Sequence, residues 1–394
     1  MHETPLDSLL QRPFVFERLH QIAEAVRARG VSLFDLSLGC PAGRPPEHVL
    51  RAFTDSLRRF GTSAHRHSQV EGLPELRRAV SEWYERRFTV HLEPQEEILP
   101  MASPLEAIHL VLGADLEEAE VLLLPTPCPP SWLSAAALAR AHPVFVPLDA
   151  EGRLAFDRIP PDSFRAARML LLAYPQDPTG SVCDLGHLRE ALARCREHDI
   201  LLVNDIRWSE FSLVEGHLPS SIFELPGARE GALEISTPAC SHRLSGWGPA
   251  FLAGGAERIG RLALRAGHRG PGPFLAAQEA TLSALTGDDA FLSQQRSRLR
   301  RQQQRFREGL ARLGLSLPPS AATIYLWGPI PAGWGDDDQA FVEQVLDRSG
   351  VLLAPGSAFG PAGRGHVRLS LCLEDAALGA CLGRLEETGA FVPA

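Results

Sequence analysis

Residues Glu234 to Gly255, EISTPACSHRLSGWGPAFLAGG, constrain the fold more than any other stretch. An apolar strand, Leu233–Thr237, enters a polar turn, passes Ser245-Gly246-Trp247 and returns as a second short apolar strand. Other short apolar runs, Val144–Pro147 and Met169–Tyr174 among them, lack the alternation of a half-exposed sheet and suit buried parallel strands. Segments with helical spacing, Pro130–Arg140 and Leu185–His198, lie between strands, so the pattern predicts an α/β protein.

One absence limits the chemistry. All 39 residues counted as Lys+Arg are arginine, so the chain contains no lysine. A guanidinium stays charged and unreactive where a Schiff base needs a deprotonable amine. The 394 residues are enough for two domains with sizeable cores. A net charge of −9, with no basic stripe, argues against a nucleic-acid surface, and Arg296–Arg307 reads as a solvated helix. Seven cysteines, at 40, 128, 183, 195, 240, 372 and 381, form no CxxC pair or metal-ligand set and suit reduced intracellular thiols. The first residues, MHETPLDSLLQRPF, lack a signal-peptide pattern, and no apolar run approaches the roughly 20 residues of a membrane span. A cytoplasmic protein is expected, with no nucleic-acid or membrane partner and no metal.

Further motifs follow in chain order. They are LGCPAGRPPEHV (38–49), HRHSQVEGLPELRRA (65–79), Ser103-Pro104-Leu105, Pro127-Cys128-Pro129-Pro130-Ser131-Trp132 and AYPQDPTG (173–180). Asp205 and Trp208 follow strand Ile200–Asn204, and TIYLWGP (323–329) and Val367-Arg368-Leu369-Ser370 complete the set. In order and spacing, over roughly residues 30 to 388, the chain resembles the fold-type I pyridoxal-phosphate (PLP) aminotransferases of class I/II, nearest their LL-diaminopimelate and alanine-type branch. The resemblance implies an α/β fold with a mainly parallel mixed sheet in a large domain (50–285). A smaller α/β domain would be built from both chain ends (1–49 and 286–394). It also implies a homodimer whose sites lie between subunits.

Residue by residue, the resemblance places Cys240 where the family has its Schiff-base lysine and Gly248 where it has a phosphate-binding arginine. Ser103-Pro104-Leu105 falls on the phosphate loop, where proline removes a backbone donor and Ser103 suits a helix cap. Pro129 replaces an aromatic that stacks on the cofactor, Asp177 an asparagine and Trp208 a tyrosine that meet its phenolate oxygen. His67 replaces a tyrosine that reaches the neighbouring subunit's phosphate. Asp205, the partner of the cofactor's ring nitrogen, and Arg368, which binds the substrate carboxylate, are kept.

Three readings compete. The old cleft could run other chemistry, with Cys240 as nucleophile, His242 as base and Asp177 or Asp205 to orient it, against the plainer view that Cys240 fills the lysine's space. The chain could instead be a non-catalytic member or the partner of a lysine-bearing paralogue. It could also hold PLP or pyridoxamine phosphate without a covalent bond. The expectation drawn is a protein that is not itself a PLP transaminase and uses no cofactor. It would bind a small carboxylate, an amino or 2-oxo acid, through Arg368 with Asp177, Trp208 and His67. As partner it would have a second copy or that paralogue. Arg368 could alternatively serve an interdomain ion pair.

Overall fold

The computed structural model describes residues 15–393. Its centre is a seven-stranded sheet made of β2 (Ile98–Met101), β3 (Val121–Thr126), β4 (His142–Pro147), β5 (Ala167–Ala173), β6 (Leu201–Asp205), β7 (Ala232–Ser236) and β8 (Ala250–Gly254). The strand order is β2-β8-β7-β6-β5-β3-β4. Pairing is parallel from β7 through β4, and β8 runs antiparallel to both its neighbours. The expected α/β class and mainly parallel mixed sheet are both present.

The strand composition explains why this sheet is buried on both faces. Successive side chains point to opposite sides. Leu122 and Leu124 of β3, Met169 and Leu171 of β5, and Leu201 and Val203 of β6 pack into one core. Leu123, Leu170, Leu172 and Leu202 pack into the other, with Trp83, Tyr84 and Phe88 from helix Pro74–Phe88. Helices start where proline fits the first turn, as at Pro104 and Pro130, because the missing N–H has no helical partner there.

A second body of structure forms around two small sheets. In chain order, β1 (Phe34–Asp35), β9 (Tyr325–Pro329), β10 (Val351–Leu352), β11 (Ala354–Pro355) and β12 (His366–Ser370) provide them. The first pairs β1 with β10, and the second has the order β11-β12-β9, antiparallel throughout. Their core includes Leu19, Val26, Phe306, Leu310 and Phe341, and also takes in Trp208 and Cys240 from the ends of the large sheet. The carboxyl ends of β6 and β7 therefore meet the second core.

Several boundaries differ from expectation for local reasons. Within TIYLWGP the strand starts only at Tyr325, because Thr323 adopts φ +71 and its hydroxyl accepts from the Tyr325 N–H. Helix Ala256–Arg269 runs through Gly267 and ends only at Arg269. Helix Ala290–Arg312 is not simply solvated. Leu299, Gln302, Gln303 and Phe306 are buried, and Arg296 and Arg298 pair with Glu210 and with Glu374 and Asp375. Strand β2 is an edge strand that pairs with β8. Among the described residues, no helix is long and apolar enough to cross a membrane, and no group of side chains could hold a metal ion.

Candidate active site

Parallel strands leave their polar groups free at the carboxyl edge, and ligand clefts of open α/β sheets form there. Here the loop after β5 presents Gln176 and Asp177, and the turn after β6 presents Arg207 and Trp208. The one-turn helix Pro238–Ser241, which follows β7, carries Cys240.

Asp205 is 2% exposed and is gripped from within the chain. The Arg207 Nε donates to both of its oxygens, at 2.9 and 2.7 Å, and Nη2 also donates to Oδ2. Burial alone would lower the Arg207 guanidinium, but the Asp205 carboxylate outweighs it and the net shift is upward. Sequence reasoning does not single out Arg207. The available signal was a positive residue two places after a carboxylate at a buried strand end.

Arg368 lies on β12 and donates to Asp177 at 2.9 Å and to the Ser37 carbonyl at 2.7 Å. Its guanidinium carbon sits 4.0 Å from the Tyr325 ring centroid and 4.6 Å from that of Phe359. Its Nε–H is buried without a hydrogen-bond partner among the described residues, as is the Trp208 Nε1–H. Burial pushes the Asp177 carboxyl up, and Arg368 and then Arg207 oppose that push. The chain presses close here: a Cβ on Gly39 would collide with the Tyr325 hydroxyl, so a side chain there would have to displace it.

Cys240 is buried, and burial drives its thiol up to about 12, with Arg207 opposing. His242 does not join it. The ring's Nδ1 lies 2.9 Å from the Ser241 hydroxyl, the ring stacks on Phe291, and burial lowers its pKa to about 4. No hydrogen bond links Cys240 to His242 among the described residues. His67 is exposed. The structure thus gathers Asp177, Asp205, Trp208, Cys240 and Arg368 at one edge.

The comparisons with known proteins agree on the class. The family described as aminotransferase class I and II matches residues 31–385, and the chain belongs to it. The chain is 31% identical over 380 residues to LL-diaminopimelate aminotransferase 2 of Trichormus variabilis, covering 96% of each chain. A probable N-succinyldiaminopimelate aminotransferase from Thermus thermophilus superposes with a TM-score of 0.88 at 32% identity, over 96% of this chain and 100% of that one. Substrate-bound BacF from Bacillus subtilis gives a TM-score of 0.91 at 25% identity, over 99% of this chain and 98% of that one.

These findings correct two expectations. Relatives matching nearly the whole chain are named aminotransferases, which points to amino transfer with PLP instead of a cofactor-free carboxylate binder outside that chemistry. The side chains nonetheless do not fit the lysine-linked form of that cofactor, since the chain has no lysine. In the arrangement seen, Arg207 covers Asp205. At the loop where the resemblance expects the phosphate, Ser103 caps helix Pro104–Asp115 by accepting from the Glu106 N–H, and the Glu106 carboxylate accepts from the Ala102 N–H. Gly248 adopts φ +67, and a Cβ there would lie 2.6 Å from the Ala102 carbonyl oxygen, so an arginine has no room.

Proposed function

We propose that the protein transfers an amino group between an α-amino acid and a 2-oxo acid, with its cofactor exchangeable instead of tethered, because the chain supplies no amine. The observation that carries this reading is Arg368, a buried arginine held between two aromatic rings with one N–H unspent. A planar fork of that kind suits bidentate binding of a carboxylate. Asp177 holds the fork in the present arrangement, so the substrate carboxylate takes Arg368 by exchange. The relatives' names make diaminopimelate-type amino acids the first to test.

The reading includes a large unit of residues 50–285, a smaller one from both chain ends, and a homodimer. Light scattering on the purified protein checks the dimer. The activity is tested by mixing the protein with PLP and a panel of amino acids and assaying for pyridoxamine phosphate and the matching 2-oxo acid. Formation of both supports the reading, and formation of neither with any amino acid contradicts it.

A further inference from the structure

A partly enclosed cavity lies apart from the cluster described above. The last turn of helix Pro74–Phe88 and the start of helix Ala290–Arg312 form two of its walls, and the loop after β6 forms a third. The one-turn helix Pro238–Ser241 closes it from behind. Its volume of about 90 Å³ is room for several waters or for one small anion. Pro238, Ser241 and His242 face this cavity, whereas Cys240, on the same turn, packs into the second core.

The charges around the cavity do not balance. Three arginines line it, Arg86, Arg87 and Arg296, against two carboxylates, Glu210 and Asp289. Arg86 and Asp289 are exposed. In the interior, Arg87 and Arg296 share Glu210, at 3.5 and 3.6 Å, and the three side chains are only 12%, 17% and 11% exposed. The Trp83 indole N–H also donates to Glu210, at 3.0 Å. Burial lowers the Arg87 guanidinium; Glu210 opposes that, Arg296 adds to it, and Glu224 and Asp289 oppose it less. Arg87 Nη2 donates to the Ser209 and Pro219 carbonyls, but its Nε–H is buried with no partner among the described residues. A buried guanidinium N–H without an acceptor is costly, and an oxyanion supplies both the acceptor and the missing charge.

We propose that this cavity is a second ligand site, for a small oxyanion of the phosphate or short dicarboxylate kind, held between Arg87 and Arg296. Glu210 keeps its contacts with Trp83 and the two arginines, and the anion takes the N–H groups left over. The site shares no residue with the cluster of Asp177, Asp205, Cys240 and Arg368, so it stands whether or not the protein transfers amino groups.

The test is isothermal titration calorimetry of inorganic phosphate, and separately of malonate, into the full-length protein at constant ionic strength. The wild type should bind at least one of them saturably. Arg87→Gln and Arg296→Gln should each weaken binding by about tenfold or more. Arg301→Gln, at an exposed position of the same helix, should leave it unchanged. Arg296→Gln keeps the Arg87–Glu210 pair and so decides the matter if Arg87→Gln does not fold. Arg368→Gln should also keep the binding, which separates this cavity from the site of the proposed function. Preference for phosphate or for malonate names the source of the oxyanion, and either supports the site. No saturable binding of either probe overturns it, as does binding that Arg296→Gln leaves unchanged or that Arg368→Gln abolishes.

Discussion

Arg207 and Asp205, two residues apart, lock to each other at the end of β6, with the arginine Nε donating to both carboxylate oxygens at 2.9 and 2.7 Å. Removing the arginine leaves a buried carboxylate without its partner. Breaking a buried pair from one side typically costs about 3–5 kcal/mol. Arg207→Ala should therefore lower the unfolding free energy by about that amount in urea titrations, and Asp205→Asn added to it should recover part of the loss. An unchanged midpoint would show that the pair contributes nothing to stability.

Two buried groups should give pH dependences of opposite sign. Glu234 accepts from Ser221, Ile222, Asn204 and Tyr84, yet burial raises its pKa from 4.5 to about 7. Between those values the folded state binds more protons than the unfolded state, so the stability it contributes is lost as pH rises. His242 is lowered from 6.5 to about 4, so its contribution is lost as pH falls through that window. The stability of the wild type relative to Glu234→Gln should fall as pH rises through the first window, and relative to His242→Asn it should rise with pH through the second. Each change amounts to about 3 kcal/mol at most. Parallel curves would refute both assignments.

Thiol reactivity separates exposed from buried cysteines. Cys40 is the exposed one, and Cys240 is buried with its thiol pushed up to about 12. Iodoacetamide at neutral pH, followed by peptide mass spectrometry, should modify Cys40 first and Cys240 slowly. Rapid, selective labelling of Cys240, slowed in His242→Ala, would make it a nucleophile.

Gly248 tests how tightly its turn is packed. Its φ of +67 and the nearby Ala102 carbonyl both disfavour a side chain. Gly248→Ala should destabilise by about 1 kcal/mol or more. Equal stability would mean that the turn relaxes and has room.

Much of the fold was legible because buried parallel strands are written as apolar runs, as at Met169–Tyr174, and because prolines and Ser103 mark helix starts. Element ends set by single backbone conformations, such as Thr323 at φ +71, left no sequence trace. In the site, Asp205 and Arg368 were found by position in a motif. Asp177 was also found in this way, and an ion pair was one of the readings of Arg368, but their contact joins residues 191 apart and was not legible. Arg207 was missed because its contact depends on where a flexible side chain settles.

The most direct test of amino transfer uses a ¹⁵N-labelled amino acid, a 2-oxo acid and added PLP with the wild type, Asp177→Asn and Arg368→Gln. The account predicts ¹⁵N in the new amino acid with the wild type, a lower KM for the acids with Asp177→Asn, and loss of transfer with Arg368→Gln. Borohydride treatment should leave no cofactor fixed to the chain. No ¹⁵N transfer by the wild type at any cofactor concentration, or transfer unaffected by Arg368→Gln, would contradict it.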